Sequence, residues 1–313
     1  MFIDANQYLD LYRMVEGKKL LDSLEEQKAY IFVSAQIVDE VLRNKLRCAR
    51  DFFSDKLKEI QTINASVPDH LLGISDQETS DFRRIIAQAE QTRKTLDDLV
   101  ANALVRISRS EDDVSKRLGV LFDKSVFPSI DEMRRAIERK QTGNPPGKPT
   151  DALGDQITFE QLLTNCKELK CTRLWIITSD QDYCVKCGKV FLLNPLLRRN
   201  LIDVCGEALE IHCFGNLLEG ITHFGKNADV KAEKLPTEKE AAEIKKEIEA
   251  ITYPQVAQHY VLNCNPGSFS LTGNIAAVAR TAIGSIGSTP SPGINPAVAE
   301  AVAGDIDATG KPK

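Results

Sequence analysis

No apolar run in the sequence approaches the roughly 20 residues that a membrane-spanning helix needs, so no membrane partner is expected. Neither a P-loop nor a GxGxxG turn occurs, which removes the two commonest phosphate-cradling loops. Basic residues are not in excess: Lys and Arg number 40 against 45 Asp and Glu, for a formal net charge of -5. No overall positive field advertises nucleic acid, and such a reading must rest on a local patch. A basic n-region is missing before the acid at Asp4, so no export signal is expected. His70, His212, His223 and His259 are scattered, with no pair at ligand spacing, which points to structural or surface roles. Eight cysteines would permit disulfides, yet a chain of 313 residues without an export signal is expected to be cytoplasmic and reduced. Cys184-Val-Lys-Cys187 has zinc-ligand spacing, and Cys166 and Cys171 lie upstream at looser spacing. Cys166 also fits the apolar face of a helix, so free thiols are the default reading and structural zinc the alternative.

What is present is an ordinary globular chain, 42% apolar and 27% charged, long enough for about two domains or one domain with insertions. Its organising stretch is Leu174-Trp175-Ile176-Ile177-Thr178-Ser179-Asp180-Gln181-Asp182. A short run apolar at every position reads as a strand buried on both faces, as in a parallel sheet. Ligands of open α/β sheets sit beyond the carboxyl ends of such strands, where Asp180 and Asp182 fall. Met1-Phe2-Ile3-Asp4-Ala5-Asn6 repeats the idea at the start of the chain. Side by side, the two strands would bring Asp4 and Asp180 into one crevice. Carboxylates so placed repel, and a divalent cation is the natural third party.

In chain order, Met1 to Ile3 reads as a strand, Gln7 to Glu26 as one helix and Lys28 to Val33 as a second strand. Ser34 is the expected N-cap of the next helix. On that helix Val38, Val41, Leu42 and Phe52 are expected to be buried together. Glu40, Arg43, Asn44 and Arg47 follow at i, i+3, i+4 and i+7 and share a polar stripe. Spacing alone allows a solvated face with an Arg–Glu pair worth a few tenths of a kcal/mol.

Residues from 54 to about 142 read as a long helical insertion, with Ile85, Leu96, Leu99, Leu104, Val114, Leu118, Leu121 and Phe122 at apolar spacing. Arg134, Arg135, Arg139 and Lys140 near its end are basic positions expected to contact phosphate, although a charge run of this kind is usually a solvated face. A Gly/Pro loop over 142–150 ends the insertion. Asp155 then opens a helix carrying Phe159, Leu162, Leu163 and Cys166, where capping is its plain role and Asp151 is a competitor for any chemical one. A helix over Leu196–Val204, a strand over Leu209–Cys213 and a helix capped by Asn216 complete the core. The expected division is a domain over 1–234, a charged helical extension over 235–262, and a disordered low-complexity tail over 263–313.

The acids form a set: Asp4, Glu40, Asp155 and Asp180, with Asp182 accessory and Asp39 turned to another helix face. Hard divalent cations take oxygen ligands, so the set suits metal-assisted phosphodiester hydrolysis. An aspartyl-nucleophile phosphatase would want a second acid two residues after the first, where Asn6 stands. A receiver-like domain would want paired N-terminal acids and a late lysine.

Phe2-Ile3-Asp4-Ala5-Asn6, Glu40 within Gln36-Ile-Val-Asp-Glu-Val-Leu-Arg-Asn44, Gly154-Asp155-Gln-Ile and Thr178-Ser-Asp-Gln-Asp-Tyr183 resemble, in order, the four motifs of PIN-like nuclease domains. The particular resemblance is to larger bacterial members with a helical insertion before the third acid, and it covers roughly 1–53 and 150–225. The resemblance implies an α/β three-layer fold, with a central, mostly parallel sheet and helices on both faces. It implies a Mg2+- or Mn2+-dependent nuclease acting on RNA, with single-stranded DNA as the alternative polymer and a regulatory protein as a further partner. Asp4, Glu40, Asp155 and Asp180 would be the catalytic and metal-binding acids, with Asp182 an additional ligand. Asn6 and Ser179 would hold ligands or waters. Arg43, Asn44 and Arg47 would contact substrate. A PIN-like module that binds nucleic acid or protein without cutting is the competing reading, and the oligomeric state stays open.

Overall fold

A computed structural model describes residues 1–61, 76–147 and 152–252. Its centre is a parallel sheet of β1 (Phe2–Ile3), β2 (Arg173–Ile177) and β5 (Glu210–Phe214) in the order β1-β2-β5. Register pairs Ile3 with Ile177 and Ile177 with Phe214. Leu174 to Ile177 are all buried, although successive side chains point to opposite faces, so both faces are covered.

Different helices cover the two faces. Trp175 packs edge-on against Phe224 of α9 (Leu217–Asn227), ring centroids 5.0 Å apart. On the same face, a Cβ added at Gly220 of α9 would sit 2.3 Å from Ile177 Cδ1, so glycine is what lets helix and strand meet. On the other face, Phe2 stacks on Tyr183 at 5.5 Å, and Tyr183 meets Phe159 of α7 (Gly154–Glu168) edge-on at 6.3 Å. Helix α7 is buried over every residue from Gln156 to Leu163, as befits a central helix.

Several expected elements differ. The helix over Gln7–Glu26 is two, α1 (Ala5–Asp10) and α2 (Gly17–Gln27). The chain turns back so tightly that a Cβ on Gly17 would lie 3.3 Å from the Leu11 carbonyl oxygen. Val15 is consequently 73% exposed rather than part of an apolar stripe. The Lys28–Val33 strand is a 3-10 turn over Lys28–Tyr30, followed by single parallel bridges from Phe32 to Phe2 and from Ser34 to Val126. Its neighbour β1 is only two residues long, so there is no ladder for it to join.

Ser34 does cap α3 (Ala35–Gln61), accepting from the Ile37 amide at 3.2 Å. Val41 is buried, but Leu42 is half exposed, outside the face that packs. The insertion comprises the end of α3, α4 (Asp76–Ser108), α5 (Asp113–Phe122) and α6 (Ile130–Gln141). Leu118, Leu121 and Phe122 join the core, whereas Ile85 and Leu99 face solvent. The basic quartet expected to meet phosphate is largely tied up within the protein. Arg139, 9% exposed, and Arg135 both grip Glu160 of α7, at 2.7 and 2.9 Å, and Arg139 also donates to the Pro145 carbonyl. Arg134 pairs with its helix neighbours Asp131 and Glu138. A buried carboxylate needs charged partners, and these arginines supply them.

The hairpin β3 (Cys184–Cys187) and β4 (Val190–Leu193) leads into α8 (Pro195–Cys205). Helix α10 (Glu238–Thr252) buries Ile244 fully and joins α2 through Lys19–Glu240 at 2.7 Å. The expected tail and Asp151 lie outside the described residues. No helix among the described residues is long and apolar enough to cross a membrane.

Candidate active site

Because Ile3 and Ile177 are register partners, the residues that follow them, Asp4 and Thr178, leave the sheet at the same carboxyl edge. Asp4 caps α1. Its Oδ1 accepts from the Ala5 amide at 2.7 Å, and its Oδ2 accepts from the Thr178 hydroxyl at 2.7 Å. The same hydroxyl accepts from the Asp180 amide at 2.9 Å. One buried side chain therefore links the two loops that carry Asp4 and Asp180. Asp180 Oδ1 then accepts from the Asp182 amide at 2.8 Å, folding that loop on itself.

Glu40 reaches the same region from the second turn of α3, and Asp155 from the first turn of α7. Asp155 is not the cap of α7, a position held by Leu153; its charge lies at the positive end of the helix. Their mutual influence shows in the acidities. Burial first, and then Glu40 and Asp180, raise Asp4 to about 6 against the pull of Thr178. Glu40 is raised by burial, by Asp155 and by Asp180, with Arg43 opposing. Tyr183 is driven well above its usual range by burial, then by Asp155, Asp4 and Asp180. Its hydroxyl donates to the Asp155 carbonyl at 3.4 Å.

The other expected residues fall around this group. Asn6 and Ser179 are exposed on α1 and on the β2 loop, and Asp182 is half-buried. Asn44 donates to the Glu40 carbonyl at 3.0 Å and accepts from Arg47 at 2.9 Å, while Arg43 stands exposed beside them. Sequence reasoning passed over Thr178 and Tyr183 as site residues. Both stand inside the fourth motif, but no spacing rule distinguishes a hydroxyl that bridges two loops from one that merely follows a strand.

The donor set suits a hard cation: carboxylate oxygens only, and no Lys or Arg among the groups that shift Asp4. The Tyr8 hydroxyl, which also feels Asp4, is buried without a hydrogen-bond partner among the described residues. The acids are not drawn into a single coordination sphere, however. Among the described residues no three His, Cys, Asp or Glu side chains converge closely enough to hold one ion.

The cysteine pair at zinc-ligand spacing lies on β3. Cys184 and Cys187 sit three apart on a strand, one buried and one exposed, so they point to opposite faces, and every described cysteine is free. Histidine placement, by contrast, is less scattered than the sequence implies. His212 and His223 rings lie 5.0 Å apart beside Trp175, whose indole N–H donates to His223 Nδ1 at 3.0 Å. That bond gives His223 a structural role.

The family described as "PIN like domain" matches residues 1–193. The matched span holds all four acid motifs and takes in the helical insertion, which the resemblance leaves out, but it ends at residue 193, short of the 194–225 stretch that the resemblance includes. No curated protein and no solved structure matches the chain.

Proposed function

The chain belongs to the PIN-like domain family, whose members are generally metal-dependent nucleases, and on that premise we propose that it hydrolyses phosphodiester bonds in RNA. The observation that carries this reading is the electrostatic state of the sheet edge. Asp4 is raised to about 6 by burial and by two neighbouring acids, and among the described residues no Lys or Arg is one of the groups that shift it. A site that gathers negative charge without neutralising it is suited to a divalent cation.

In this proposal Asp4, Glu40, Asp155 and Asp180 hold Mg2+ or Mn2+, and Asp182 adds an outer ligand. When bound, such an ion orients the phosphate, makes the attacking water more acidic and offsets charge on the leaving oxygen. The chain's own contribution is positioning. Thr178 fixes Asp4 against the Asp180 loop through two hydrogen bonds. Asn6 and Ser179, exposed beside these acids, orient water. Arg43 and Arg47 on the open face of α3 take up flanking phosphates, with Asn44 holding Arg47 in place.

One observation favours a second reading, a PIN-like module that binds nucleic acid without cutting: the acids are not gathered tightly enough to enclose an ion. Purified protein incubated with mixed RNA and single-stranded DNA, in Mg2+, in Mn2+ and in chelator, separates the two. RNA cleavage that needs metal and stops in chelator supports the nuclease. Metal-independent binding with no cleavage of either polymer supports the module.

A further inference from the structure

At the opposite edge of the sheet, before β1 and β2 begin, lies an open groove of about 580 Å3. Five residues of β2, at about 3.3 Å each, separate this edge from Asp180 by roughly 17 Å. Its buried wall is aromatic: Phe32, Trp175 and Phe224 are each under 10% exposed. Tyr30 stands half exposed over them, its ring 5.7 Å from that of Phe224. Lys124, Lys170 and Arg173 supply charge at the rim, and no Asp or Glu is among the lining residues. In a chain whose acids outnumber its bases, that is a local segregation of positive charge. Arg173 is partly occupied: it donates to the Asn227 carbonyl and pairs with the exposed Asp229 at 3.3 Å while lying over the Trp175 ring. Lys170 is exposed and sits in the left-handed region, φ 49°.

An anion alone would need only the lysines, and an apolar ligand only the aromatic wall. Their combination selects a molecule with a flat ring at one end and a phosphate at the other, and the volume is that of a small-ligand pocket. We propose that this groove binds a nucleoside phosphate, its phosphate taken by Lys124 and Lys170 and its base laid against Tyr30. Base–aromatic contact of this kind tolerates any base, because every base has a π-face. The ligand is either a free nucleotide or the terminal nucleotide of a strand. Neither requires the acid cluster, so the inference stands apart from the nuclease reading.

Trp175 is the chain's one tryptophan and lines the groove, so its fluorescence reports occupancy directly. The full chain, in chelator so that no cleavage occurs, is titrated with AMP while Trp175 emission is followed, and equilibrium dialysis with labelled AMP is run in parallel. Saturable binding is expected, with inorganic phosphate or adenosine alone weaker by about tenfold or more. Lys124→Gln combined with Lys170→Asn should weaken AMP binding by about tenfold or more without changing the melting temperature. Asp180→Asn should leave it unchanged. A 5′-phosphorylated oligoribonucleotide that displaces AMP identifies the ligand as a strand end, and one that does not identifies it as a free nucleotide. The proposal is overturned if neither emission nor dialysis detects AMP binding up to about 1 mM, a Kd worth only about 4 kcal/mol. It is equally overturned if the double variant binds as the wild type does.

Discussion

Asp4 does two jobs with one carboxylate. It caps α1, which only requires an acceptor, and it contributes charge to the sheet edge, which requires ionisation. Asparagine at position 4 keeps the first and removes the second. Asp4→Asn is therefore expected to fold, to melt at or slightly above the wild-type temperature at neutral pH without metal, and to lose cleavage. Asp180→Asn is expected to behave likewise. Retained wild-type cleavage in either variant would overturn the nuclease assignment, whereas an unfolded Asp180→Asn would make that carboxylate a structural acceptor. Thr178→Val tests the link between the loops. It keeps the shape but removes the donor to Asp4 and the acceptor for the Asp180 amide, both part-buried, at a cost of about 1–3 kcal/mol. Without that donor the Asp4 carboxyl is raised further. The activity profile of Thr178→Val should therefore move to higher pH, a shift that loss of packing alone would not cause.

Helix α6 is built in reverse of the usual surface helix. Its inward side carries Glu132, Arg135 and Arg139, while Ile130, Met133 and Ile137 face out. The ion pairs to Glu160 explain the two arginines, and the capping box with Ser129 explains Glu132. Arg139→Ala would leave that carboxylate, 5% exposed, with Arg135 alone, and destabilisation of about 3–5 kcal/mol is expected in urea unfolding. Arg134→Ala, by contrast, should stay within about 0.5 kcal/mol, because its pairs are exposed and within one helix. Equal effects from the two would refute this division of the basic quartet. Helix α9 depends on a missing side chain. Gly220→Ala forces a methyl into Ile177, two residues before Ser179, and is expected to cost about 1–3 kcal/mol.

Across the whole molecule, the acid edge couples stability to pH. A folded-state acidity of about 6 lies above the value of the unfolded chain, so Asp4 favours the folded state most when protonated. Its contribution is fully present below about pH 4 and is lost as pH rises through about 6, a difference of about 3 kcal/mol at most. Glu40 is shifted in the same direction, and so is Asp10, raised to about 6 by burial against the pull of Arg13. The metal-free melting temperature should accordingly fall between pH 4 and pH 7, less steeply in Asp4→Asn. Mg2+ or Mn2+ should raise it most at the upper end of that window, where the acids are ionised, and less in either Asp variant. A metal-induced shift that is flat with pH, or unaltered in the variants, would remove the acids from metal binding.

By itself the sequence determines the mixed α/β fold, the doubly buried strand over Leu174–Ile177 and the family. Those rest on local patterns: an unbroken apolar run has only one comfortable environment, and four short motifs in a set order survive any packing. It cannot determine what each polar side chain meets. Arg139 and Arg43 look alike along the chain, and only the approach of α7 turns one into a buried partner of Glu160 while the other stays open beside Glu40. Ala29 to Val33 has the composition of a strand, but the partner it would pair with is two residues long. Thr178 and Tyr183 acquire their places when β1 comes alongside β2, and His212 meets His223 only when α9 folds over β5. Periodicity tells which face of an element is buried; which residue waits on the other side of that face is decided by elements distant in the chain.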